Sequence, residues 1–73
     1  KEIPEKLTLD ISEKLTLRQA VDRLEHDYRA VVVLFYYDDM SIKDISNILG
    51  VSQGAVKTRL SRARAKLLTM LKD

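Results

Sequence analysis

A chain of 73 residues makes one domain, and at that size folding hides only about 60% of the surface the unfolded chain exposes, so its core must be thin. It has no cysteine and one histidine, His26, which excludes a disulfide framework and a zinc module and leaves no metal or cofactor to be expected; its longest apolar run, Ala30 to Tyr37, falls far short of the ~18 residues of a membrane span. The net charge is only +2, but it divides unevenly: residues 1–51 hold seven Lys and Arg against ten Asp and Glu, residues 52–73 hold six against one, and the two parts stand at −3 and +5.

Residues 1–15 contain the only proline, Pro4, and an alternation, Leu7-Thr8-Leu9-Asp10-Ile11, without helical period. They read as a linker or N-terminal arm ahead of a domain of residues 16–73. Glu-Lys-Leu-Thr-Leu occurs at 5–9 and again at 13–17, too short an echo to define a repeat architecture. The first residue is Lys, which predicts a piece of a longer or processed protein, and the lack of a signal peptide predicts an intracellular one.

Thr16 opens the first helix, with Gln19 completing a Thr-x-x-Gln capping box. Leu17, Ala20, Val21 and Leu24 then share one stripe, and the helix is expected to end near His26. Asp27 is placed to cap a second helix, about Tyr28 to Tyr37, with Val31, Leu34 and Phe35 on one face and Val32, Val33, Tyr36 and Tyr37 off it. The β-branched run Val31-Val32-Val33 also suits a buried strand, but no second strand offers to pair with it, so a helix is expected. Such a surplus of apolar side chains cannot all face one thin core. Val32, Val33, Tyr36 and Tyr37 are therefore candidates for a partner-binding surface, the alternative being that the arm covers them through Ile3, Leu7 or Leu9.

Asp38-Asp39-Met40 forms the next turn. Ser41 caps a third helix with Asp44 at its third position, Ile42, Ile45, Ile48 and Leu49 give its core stripe, and Gly50 supplies the left-handed stop. Ser52 caps a fourth helix, and Val51 with Val56 makes a hydrophobic staple that fixes its entry angle. Within this helix Val56, Leu60, Ala63 and Leu67 face inward, Lys57, Thr58, Ser61, Arg62 and Ala65 fall opposite, and Arg59, Arg64 and Lys66 flank the apolar stripe. The expected class is therefore all-α: four helices containing a helix-turn-helix, winged-helix-like without a wing.

Helix, tight turn, basic helix is the plan by which many proteins lay a helix in the DNA major groove. Ser52, Gln53 and Gly54 offer small or hydrogen-bonding groups and free backbone N–H at the positive end of the helix dipole, where a phosphate can bind. Gly54 costs about 1 kcal/mol relative to alanine inside a helix, so it needs a reason: close approach either to the third helix or to a DNA backbone. Lys57 and Arg62 are placed for base edges, Thr58 and Ser61 for bases or phosphates, and Arg59 and Arg64 for phosphates or acidic neighbours. Catalysis finds no support, since Asp38 and Asp39 sit side by side in a turn, His26 has no nucleophile in an evident constellation, and no glycine-rich phosphate loop exists.

Residues about 17 to 71 resemble region 4 of the extracytoplasmic-function sigma factors, bacterial RNA polymerase subunits that choose promoters. The resemblance is carried by Leu24-Glu-His-Asp-Tyr-Arg-Ala-Val-Val-Val-Leu34 and by Met40-Ser-Ile-Lys-Asp-Ile-Ser-Asn-Ile-Leu-Gly-Val-Ser-Gln-Gly-Ala-Val-Lys-Thr-Arg-Leu-Ser-Arg-Ala-Arg-Ala-Lys-Leu68, whose later part is similar to the family's G-T-V-[KR]-[ST]-R-L-x-R-A-R signature. It implies a cytoplasmic bacterial protein in which Lys57, Thr58, Ser61 and Arg62 touch the minus-35 element of double-stranded promoter DNA, with backbone contacts at Ser52, Gln53 and Gly54. It also implies two protein partners, the β flap of the RNA polymerase core and an anti-sigma factor, and assigns promoter melting to a region 2 absent from these residues. Three positions depart from the pattern: Ser46 stands for the usual alanine, Ala55 for the common threonine, and no proline follows Leu24. The DNA-binding domain of LuxR/NarL-type regulators shares the four-helix plan, but the Arg-Leu-Ser-Arg-Ala-Arg run argues against it. A helical docking module with a merely solvated basic helix is the alternative from another class, separated by specific affinity for promoter DNA.

Overall fold

A computed structural model describes residues 16–71, and among these every regular element is helical. The arm of residues 1–15, with Ile3, Leu7 and Leu9, and residues Lys72 and Asp73 lie outside the described residues. Helix α1 spans Leu17–Asp22. Its capping box forms as the sequence dictates: the Gln19 amide donates to Thr16 Oγ1 (3.1 Å) and the Thr16 amide to Gln19 Oε1 (2.9 Å). The helix stops at Asp22, four residues short of the expected His26. Arg29 Nη1 donates to the Asp22 carbonyl (3.1 Å), supplying a partner to an orphan C-terminal group, and Leu24 reaches the core from the turn.

Helix α2 runs His26–Val32 and continues without a break into a π-helical stretch, Val33–Tyr37. Its N-cap is Glu25, in extended conformation and without a side-chain cap bond. Asp27, expected as the cap, instead sits in the first turn, where a carboxylate still meets the positive end of the dipole. The π-helical turn closes with the Asp38 amide donating to the Val33 carbonyl (3.0 Å) and the Met40 amide to Leu34 (3.0 Å), and Asp39 takes a left-handed φ of 57° to turn the chain into α3. Val31 and Val32 are buried in this helix, which closes the strand alternative for the β-branched run.

Helix α3 spans Ile42–Leu49, capped by Ser41 Oγ accepting from the Asp44 amide (3.0 Å) and ended by Gly50 at φ 70°. Ile45 is fully buried, Ile42 and Leu49 are half-buried, and Ile48 stands 59% exposed, so it does not belong to the core stripe. The core-facing direction is displaced toward Ser46, which is buried with its hydroxyl satisfied by the Lys43 carbonyl (2.8 Å); Ile48 lies on the opposite margin. Helix α4, Gln53–Leu71, packs against all three others and buries Val56, Leu60, Ala63 and Leu67, the expected four.

Candidate nucleic-acid interface and adjoining groove

The N-terminus of α4 is built by two residues with separate tasks. Gly50 breaks α3 through its backbone conformation alone, since a Cβ there would meet nothing within 4 Å. Ser52 then caps α4, its Oγ accepting from the Ala55 amide (3.0 Å). Ser52, Gln53 and Gly54 are exposed at this end. A Cβ on Gly54 would meet only Ser52 Oγ at 3.8 Å, an ordinary contact, so close approach to α3 does not explain the glycine.

Lys57, Thr58, Ser61 and Arg62 are all exposed, as the helical period requires of residues turned away from a fully buried stripe. The cations flanking that stripe part company. Arg59, half-buried, joins Arg62 in lining a recess of about 290 Å³ against Glu25, His26, Asp27 and Tyr28 at the start of α2. Lys66 Nζ lies 5.4 Å from the centroid of the Tyr28 ring, a cation–π contact that ties the same flank of α4 to α2. Arg64 turns to the other flank, where its Nη1 donates to Tyr36 Oη at 2.6 Å.

That bond sits at the edge of an apolar groove of about 220 Å³ between α1, the α2 continuation and α4, lined by Leu17, Val21, Val32, Tyr36, Tyr37, Leu67 and Arg64. Of the four residues singled out as a partner surface, Tyr36 and Tyr37 fit, at 46% and 48% exposed, whereas Val32 is 2% exposed and forms the core beneath the groove. Val33 is half-buried and packed against that core. Leu17, expected on the inward stripe of α1, is instead 52% exposed and forms a wall of this groove. No local signal marks that role, because the groove exists only where three helices meet.

A family model described as "Sigma-70, region 4" matches residues 14–67, which takes in all four helices, the exposed face of α4 and the groove. The chain belongs to the sigma-70 region 4 family. Relatives of this region 4 domain include the ECF RNA polymerase sigma factor SigW of Bacillus subtilis, 37% identical over 71 residues covering 97% of this chain and 38% of the relative. The ECF RNA polymerase sigma factor SigM of Mycobacterium tuberculosis is 38% identical over 64 residues, 88% of this chain and 33% of its own length. EcfG of Rhodopseudomonas palustris, another ECF sigma factor by name, is 37% identical over 54 residues, 74% of this chain and 30% of its own. The chain thus spans roughly a third of the length of these relatives. No described helix is long and apolar enough to cross a membrane.

Proposed function

We propose that this region 4 domain recognises the minus-35 element of a bacterial promoter through the outward face of α4 and docks on the β flap of RNA polymerase through the groove beside Tyr36. One observation carries the first half: Lys57, Thr58, Ser61 and Arg62 form an exposed face on a helix whose opposite side is locked in the core, next to a tip that Gly54 keeps free of a side chain. A cationic, hydrogen-bonding face on a rigid rod is what entry into a major groove demands, with Arg and Lys suited to guanine edges and Ser and Thr to bases or phosphates. Ser52 and Gln53 bring backbone N–H groups to a phosphate at the positive end of the helix. Arg59, in the recess beside Arg62, adds a phosphate contact on that flank, and the function is binding, without chemistry of its own.

The docking half rests on the half-exposed tyrosines and Leu17 around an apolar floor, the form in which a helix of a partner inserts its anchors. An anti-sigma factor that covers the same surfaces would silence both activities at once. Binding of the chain to a library of short duplexes, with and without the β flap, tests the reading: enrichment of one sequence class supports promoter recognition, and indifference to sequence in both conditions rejects it in favour of a protein-docking module.

A further inference from the structure

The groove holds one cation and no anion. Among the described residues lining it none is acidic, and the hydrogen-bond partner of Arg64 there is a neutral phenol, so the guanidinium charge at the groove edge is left unneutralised beside an apolar floor. An occupant that fits must bring a row of apolar side chains and a carboxylate. The chain contains such a segment. Leu7, Leu9 and Ile11 recur with a period of two, which places them on one side of an extended backbone, and residues 7–13 hold Asp10 and Glu13 with no Lys or Arg.

Position favours the same segment. Residues 1–15 join directly to Thr16, and the next residue, Leu17, is itself a wall of the groove. Six residues separate Leu9 from Thr16, and the seven steps between them reach up to about 25 Å when extended, ample to double back beside α1. A short tether also sets an effective concentration of about millimolar, so a contact of only that intrinsic strength is occupied half the time.

We propose that residues 7–11 of the chain's own N-terminal arm seat in the groove, Leu7, Leu9 and Ile11 against Tyr36, Tyr37 and Leu67, with an arm carboxylate beside Arg64. The arm then competes with any protein that uses the groove. This competition rests on the docking reading above, whereas the seat itself does not. An arm seated in about nine molecules of ten raises the apparent dissociation constant of a competing partner about tenfold.

The chain lacks cysteine, so Thr8→Cys carries a single nitroxide label on the 73-residue chain. Amide NMR signals of Tyr36, Tyr37, Leu67 and Leu68 are expected to lose intensity while those of Gly54, Lys57 and Thr58 keep it. Adding Leu7→Ser, Leu9→Ser and Ile11→Ser to the labelled chain should restore the groove signals, with unshifted amide signals of Val56, Leu60 and Ala63 showing that the fold is kept. Losses confined to the first residues of α1, or spread evenly over α4, or unmoved by the triple substitution, overturn the seat. Titration of a β flap fragment separates the two ideas. The triple variant should bind it more tightly than the parent, equal affinities overturn the competition, and no binding to either rejects the docking reading while the label result stands.

Discussion

Gly54 shows how a single residue separates stability from function. Nothing in the fold requires it, since a methyl group there meets only Ser52 Oγ at van der Waals distance. Gly54→Ala should therefore raise the stability of the domain by about 0.5–1 kcal/mol, read from chemical denaturation, while weakening its affinity for every duplex. A variant that is stabilised and binds DNA as before would remove the close-approach role. Lys57→Ala and Arg62→Ala should each cost about 1–3 kcal/mol on the preferred duplex and little on a scrambled one. Arg64 behaves differently from its neighbours because its guanidinium is engaged by Tyr36. Its replacement by alanine should leave sequence preference unchanged and weaken binding of the β flap, and a loss confined to the preferred duplex would instead make it a base reader beside Lys57 and Arg62. The sequence placed Lys57, Thr58, Ser61 and Arg62 correctly on the outer face, since helical period alone decides that. It left Arg59 and Arg64 as equivalent flanks, because the recess by Tyr28 and the groove by Tyr36 distinguish them only after α2 has packed.

At the scale of elements, three of the four N-caps written into the sequence are those found, the exception being α2, where Glu25 takes the place expected of Asp27. Thr16, Ser41 and Ser52 each accept the expected backbone bond, Gly50 ends α3 in the left-handed region, and Val56, Leu60, Ala63 and Leu67 are the buried positions of α4. Local chemistry suffices for such features. The departures are of three kinds: α1 stops at Asp22, whose carbonyl Arg29 then satisfies; α3 turns Ser46 rather than Ile48 inward, with the Ser46 hydroxyl satisfied by the Lys43 carbonyl; and α2 continues as a π-helical turn. Gly50→Ala forces a side chain into φ 70°, and the domain should lose about 1–2 kcal/mol in denaturation with no change in the contrast between duplexes. Loss of that contrast instead would show that Gly50 does more than turn the chain.

Across the described residues, ten buried apolar side chains make the core, and four of them belong to α4. Leu60→Ala, at 3% exposure, should cost about 2–5 kcal/mol, a large part of the stability of so small a domain, and circular dichroism should show the four helices lost together rather than α4 alone. Electrostatics acts at the same scale. If the outer face and tip of α4 neutralise four to six phosphates, log K should fall against log salt with a slope of roughly −4 to −5, and Arg62→Ala should reduce that slope where Arg64→Ala does not. A slope near zero in the parent would mean that the basic helix is merely solvated.

The division of α4 into a keel and an outer deck has a consequence for how such a domain can diversify. Lys57, Thr58, Ser61 and Arg62 are exposed and outside the core, while Val56, Leu60, Ala63 and Leu67 on the same helix are buried where α4 meets α1, α2 and α3. Those four outward letters can be rewritten one at a time without touching the joinery beneath them. A duplicated copy can acquire a new genomic address while still folding, and an engineer can graft another reader's alphabet onto this frame and leave the groove beside Tyr36 as it is.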